Sequence, residues 1–168
     1  MTAQHPLDMF TNWLNRMGIQ SIYKISRDIR RVVLRTKSGS EYTVYLLFFN
    51  QKDIIFESPI EKFGTSKNPQ YTNTLLEILL RYNGFIYPHQ FGIIDDNKQN
   101  AIFVLRTSRD INSITPHILK EIFDGFHNAY EKEIPRLLKI ANDEIKIDFH
   151  GKRTSGIDVF MNRIFSHL

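Results

Sequence analysis

Cysteine is missing from all 168 residues. Its absence excludes a disulfide scaffold, a thiol nucleophile, a thiolate zinc centre and a cysteine-ligated iron–sulfur cluster together. Long apolar runs are missing as well. The longest, Val44–Phe49, falls far short of the about 20 residues that a helix needs to cross a bilayer. Met1–Arg16 carries Asp8 and other polar residues where a signal peptide needs an apolar core, so a cytoplasmic protein without membrane insertion is expected. The glycines form neither G-x-G-x-x-G nor the P-loop pattern, and no G-x-S-x-G elbow exists. A glycine-rich phosphate cradle and a serine-hydrolase motif are thereby both without support.

Metal and acid–base patterns are equally thin. His5, His89, His117, His127, His150 and His167 are scattered, with no H-E-x-x-H pair. His117 and His127 would sit about 80° apart around a helix and nearly three turns along it, too far to share an ion. Asp148-x-His150 reads as an ordinary surface tripeptide. Asp95–Asp96–Asn97 lacks the glycine and glutamate that a calcium loop needs further on, and reads as a hairpin turn. Glu131 with Glu133, and Asp143 with Glu144, are too close in sequence to face one another across a helix. The expectation is a protein that is not an enzyme and holds no cofactor or metal.

What is present is an ordinary folded composition with an aromatic excess. Hydrophobic residues make up 42% of the chain and charged ones 24%, far from a disordered profile. The net charge of +4 is mild and selects no class of partner.

Leu7, Phe10, Leu14 and Met17 recur at helical spacing after His5–Pro6, and Gly18 supplies a stop, which predicts a helix over Pro6–Met17. From Gln20 to Ile60 the period falls to two. Strands are expected at Ile22–Ile25, Ile29–Thr36, Tyr42–Phe49 and Ile54–Glu57, with turns at Arg27–Asp28, Ser38–Gly39 and Asn50–Asp53, and Pro59 closing the fourth. Gly64–Asn68 reads as a loop. Asn68–Pro69 caps a second helix with a Leu75, Leu76, Leu79, Leu80 stripe, closed by Asn83–Gly84. A hairpin follows (Gln90–Ile94 and Ala101–Thr107). Thr115–Pro116 then opens a long helix through Leu138, with a kink or break near Glu131 because Pro135 lies inside it. Short connections favour an antiparallel meander. The fold class is α+β, an antiparallel sheet with helices packed on one side, in the order α-β-β-β(-β)-α-β-β-α. Residues 1–140 form one domain and 141–168 a C-terminal extension, where Ile157, Phe160, Ile164 and Phe165 line one side of a short helix.

Two surfaces stand out. Lys24, Arg27, Arg30, Arg31, Arg35 and Lys37 crowd one hairpin beside Tyr23, Tyr42 and Tyr45, a pattern that serves single-stranded nucleic acid, where cations track phosphates and rings stack on bases; Arg27, Arg30, Arg31, Arg35 and Lys37 are the candidate contacts. The plain reading is a solvated sheet face with its arginines paired to Glu41, Glu57 or helix acids. The second surface is the Tyr42–Phe49 strand, apolar on both faces in its latter half. One face covers helices; the other needs a second layer, a dimer mate or a client. Tyr45, Leu47 and Phe49 occupy one side, Tyr42, Val44, Leu46 and Phe48 the other, and the alternation does not say which is inward. With Phe160 and Phe165, the first set forms the candidate partner-binding group.

From Asn73 to Leu138 the chain resembles the YbjN family. The likeness is carried by Leu75-Leu76-Glu77-Ile78-Leu79-Leu80-Arg81-Tyr82-Asn83-Gly84, the strands at Phe91-Gly92-Ile93 and Ala101-Ile102-Phe103-Val104-Leu105-Arg106, and the helix ending Tyr130-Glu131-Lys132-Glu133-Ile134-Pro135-Arg136-Leu137. The resemblance implies a fold related to type III secretion chaperones over about residues 6–140. It further implies a non-enzymatic binding domain, commonly a homodimer, that offers apolar surface to a protein segment. Secretion chaperones are usually acidic, whereas this chain has pI ≈ 9.3; a general binding or regulatory adaptor therefore fits better than a dedicated secretion chaperone. The resemblance transfers no functional residue. A protein partner is the leading expectation and nucleic acid the alternative.

Overall fold

A computed structural model describes residues 3–60, 69–83, 86, 88–95 and 101–140. The apolar stripe Leu7, Phe10 and Leu14 folds as α1 (Pro6–Arg16), fully buried on that side and capped by His5, whose Nδ1 accepts the Leu7 amide. The alternating segment becomes β1 (Ile22–Ser26), β2 (Ile29–Arg35), β3 (Glu41–Phe49) and β4 (Asp53–Pro59), each antiparallel to its sequence neighbour. Gly39 takes a left-handed φ of 89° in the β2–β3 turn, as a tight hairpin requires. The β3–β4 turn is less usual. Asn50 and Gln51 both have positive φ, 50° and 57°, the backbone of a type I′ turn without the customary glycine.

After α2 (Pro69–Tyr82) come β5 (Gln90–Asp95) and β6 (Ala101–Asp110). The hairpin adds to the sheet through β6, which pairs with β4 and leaves β5 at the edge, giving the order β1-β2-β3-β4-β6-β5. Asn83 ties the end of α2 to this edge: its Oδ1 accepts the Phe91 amide at 2.6 Å. A short 3₁₀ turn (Ile111–Ser113) leads to α3 (Pro116–Asn128), capped by Thr115. The expected disturbance before Pro135 is a π-helical turn over Ala129–Glu133, after which helix continues through 134–140. Proline lacks an amide proton and crowds the carbonyl four residues earlier, and a wider turn is one way a helix accommodates this without stopping.

The described helices all lie on one face. Val32, Tyr42, Val44, Leu46, Ile54, Phe56, Phe103 and Leu105 point inward to meet Leu7, Phe10, Leu14, Leu75, Leu79, Leu119, Ile122, Phe126 and Leu137 in a single core. Burial of each large side chain contributes about 1.5–3 kcal/mol. The extension 141–168, with Phe160, Phe165 and the Asp148–His150 pair, lies outside the described residues. So do the Gly64–Asn68 loop and residues 96–100 of the second hairpin.

Candidate functional site

The pleat assigns the two sides of β3. Tyr42, Val44 and Leu46 are buried beneath the helices, and Phe48 packs at the margin of that core. Tyr45, Leu47 and Phe49 therefore project from the opposite side, which carries no helix among the described residues. Register places Tyr45 beside Arg31 and Glu57, and Leu47 beside Ile29 and Ile55. Continued outward, this gives a rung across all six strands: Tyr23, Arg31, Tyr45, Glu57, Arg106 and Gln90. Along it the Arg31 guanidinium lies 5.0 Å from the Tyr23 ring centre, and Arg106 grips Glu57 through Nε and Nη2. Three large apolar residues stand out into solvent around this half of the sheet: Tyr23 is 49% exposed, Ile25 56% and Phe49 55%. On the same face nearer β5, Val104 is buried while Arg106 and Gln90 remain exposed, so the apolar part of the open face lies over β1–β3.

The basic hairpin does not form one surface. Arg30 points inward and is 2% exposed, its Nη1 donating to the carbonyls of Ser26, Arg27 and Ile29 and its Nη2 to Asp8 of α1. It is a buried brace for the β1–β2 turn and is not available to a nucleic acid. Arg35 pairs with Glu41 across the hairpin. Arg27 sits in the turn at one end of β2, and Lys37 lies in the turn at the other, where its amide donates to Glu131 of the π turn. Arg31 and Arg35 both have the open-face parity of Tyr23 and Tyr45, Arg31 beside the tyrosines and Arg35 at the far end of β2, opposite Glu41. The parity of Arg30 with Val32 was the sequence signal for its inward position.

At the Arg27 end, the start of α1, the β1–β2 turn and the β3–β4 turn surround a cleft of about 780 Å³. His5 Nε2 donates to Asp28 at 3.1 Å while its ring stands edge-on to Phe48, 5.3 Å away. Asp8, hydrogen-bonded to Arg30, has its carboxyl held below the usual value chiefly by that bond, so it remains ionised and engaged. Lys24, Arg27, Asn50 and Gln51 complete the rim. Sequence reasoning placed Lys24, Arg27 and Arg30 in one basic cluster but did not join them to His5, Asp8, Asn50 and Gln51, because the cleft gathers three segments far apart in the chain.

Polar groups inside the core are structural in character. Tyr42 and Tyr130 stack at 4.0 Å, and the Tyr130 hydroxyl meets Ser58 Oγ at 2.7 Å. Burial, followed by the neighbouring Tyr130 and then the charge of Glu131, pushes the Tyr42 phenol above its ordinary range, the opposite of what a proton donor at neutral pH needs. His89 is buried against Phe126, with Nε2 donating to the Ile122 carbonyl at 2.8 Å, and desolvation lowers its pKa to about 4. Among the described residues, no group of three or more His, Asp or Glu side chains is placed to hold a metal ion, and no helix is long and apolar enough to cross a membrane.

No family model matches the chain, and no curated protein is similar enough to be called a relative. Among solved structures, the chain is similar to YbjN from E. coli, a candidate transcription regulator. The TM-score is 0.50 at 14% identity, over 82% of this chain and 92% of that one. The likeness is one of fold: this chain has a YbjN-like α+β architecture.

Proposed function

We propose that this chain is a non-enzymatic protein-binding module, cytoplasmic and homodimeric, that works as a chaperone-like or regulatory adaptor by burying an apolar partner segment on its open sheet face. The observation that carries the reading is the position of Tyr45, Leu47 and Phe49 on the side of β3 that carries no helix among the described residues, beside the exposed Tyr23 and Ile25. An exposed sheet face with several large apolar residues is a usual mark of an interaction surface. Three such contacts, at about 1.5–3 kcal/mol each, support micromolar binding after association costs. The YbjN comparison adds a regulatory context, which a regulator acting through protein contacts accommodates.

The test is a capture experiment with the full chain as bait at low and high salt, repeated with Leu47→Asp, and sedimentation of the free protein. A protein partner retained at high salt and lost with Leu47→Asp supports the reading; retention by the variant removes the sheet face from it. A monomer by sedimentation removes the dimer. The neighbour's regulatory description also favours a second reading, nucleic-acid binding through Arg27, Arg31 and Lys37. Arg30 and Arg35, the other members of the hairpin group, are already engaged by Asp8 and Glu41. Binding of that kind would fall steeply with salt.

A further inference from the structure

We infer that the cleft between the start of α1, the β1–β2 turn and the β3–β4 turn binds a small phosphate-bearing anion. The inference is independent of the sheet-face reading, since the cleft is lined by none of Tyr23, Tyr45, Leu47 or Phe49. Its volume of about 780 Å³ lies within the range of small-molecule sites, about 300–1,000 Å³.

The cleft is lined by two carboxylates, and both are taken: Asp8 by the buried Arg30 guanidinium, Asp28 by His5. Lys24 and Arg27 stand on the rim, exposed, and neither makes a direct ion pair among the described residues, although the Lys24 charge reaches Asp8 and helps keep that carboxyl ionised. Facing them across the opening, the β3–β4 turn brings the carboxamide residues Asn50 and Gln51 to the rim. Each carboxylate is engaged through one oxygen, and the two rim cations together with the carboxamide donors complement a ligand rich in anionic oxygens. Phosphate suits the set best: its several oxygens can accept from an ammonium, a guanidinium and carboxamides together.

The site is also held in place. Arg30 donates to the Arg27 carbonyl at 3.3 Å and to that of Ser26 at 2.8 Å, so the turn presenting Arg27 is braced from beneath. Arg30 is accordingly a positioning residue. The cleft exceeds what a bare phosphate fills, leaving room for an organic portion against Phe48. This phosphate site is built from side chains on turns and needs no glycine-rich loop.

The test is an NMR titration of the ¹⁵N-labelled full chain with pyrophosphate, ADP and a short oligothymidylate. Saturable shifts concentrated at Lys24–Arg30 and Asn50–Lys52 are expected, with ADP binding more tightly than pyrophosphate. Lys24→Gln with Arg27→Gln should weaken binding by about tenfold or more, while Arg35→Gln with Lys37→Gln, an equal loss of charge at the other end of β2, should change it by less than about twofold. All four residues are exposed, and unchanged melting of each variant checks that the fold is kept. Equal weakening by the two variants, or shifts that never saturate, would overturn the site. Tighter binding of the oligothymidylate, with shifts spreading to Arg31 and Lys37, would overturn the small ligand in favour of a nucleic-acid backbone.

Discussion

His89 rests directly over Gly125. A Cβ built at Gly125 would lie 2.8 Å from His89 Nε2 and 3.0 Å from Cδ2, with Pro88 Cδ also at 3.0 Å. The ring has no room to withdraw, because it is hydrogen-bonded to the Ile122 carbonyl and packed on Phe126. A glycine inside α3 is therefore a contact requirement.

Gly125→Ala consequently reverses the usual preference for alanine in a helix. Where alanine ordinarily gains about 1 kcal/mol over glycine, here overpacking should leave a net loss of about 1–3 kcal/mol. Urea denaturation of the variant checks the sign; a gain in stability would show that the ring can move.

The same histidine makes stability pH-dependent. Its pKa is about 4 in the fold against an ordinary 6.5, so the unfolded chain binds the proton more readily. Its contribution is whole above pH 6.5 and is lost as the pH falls toward 4, by about 3 kcal/mol in all. Denaturation midpoints measured between pH 7.5 and 4.5 should decline over that window, and His89→Gln should flatten the decline.

Leu46 and Leu47 are neighbours with opposite fates. Leu46 is fully buried, so Leu46→Asp should unfold the chain or cost more than about 4 kcal/mol, through a buried unpaired charge. Leu47→Asp on the open face should cost less than about 1.5 kcal/mol and keep the circular dichroism of the parent. Collapse of both variants would mean that β3 is covered on both sides.

Gln51 holds a left-handed backbone that glycine adopts freely, φ 57°. Gln51→Gly should raise stability by about 1 kcal/mol by relieving that conformation. If the side chain serves the cleft, the gain in melting temperature comes with weaker pyrophosphate binding; the two readouts are measured on one sample.

Local elements were legible because local patterns decide them. Leu7, Phe10 and Leu14 announce α1, Thr115–Pro116 opens α3, and alternation marks β1–β4. The faces of β3 were not legible, since both sets of side chains are apolar and only the helices' position separates Leu46 from Leu47. Nor was the attachment of β6 to β4, where pairs such as Phe56 with Thr107 join residues that no short-range rule connects. Arg30 looked like surface because its neighbours Arg27 and Arg31 are surface; its burial depends on Asp8, far away in sequence. His89 carried no pattern at all, and its fit over Gly125 exists only once α3 has docked.

The strand order has a temporal meaning. Pairings among β1–β4 link only strands adjacent in sequence, whereas β6 must return across α2 and β5 to reach β4. Closing that longer loop costs more chain entropy, so the meander is the natural first assembly and the β4–β6 seam the later one. Both candidate surfaces, the open face around Tyr45 and the cleft at Lys24, are centred on residues before Ile60. During synthesis, the segment that carries both candidate surfaces is made before the strand that completes the sheet has been translated.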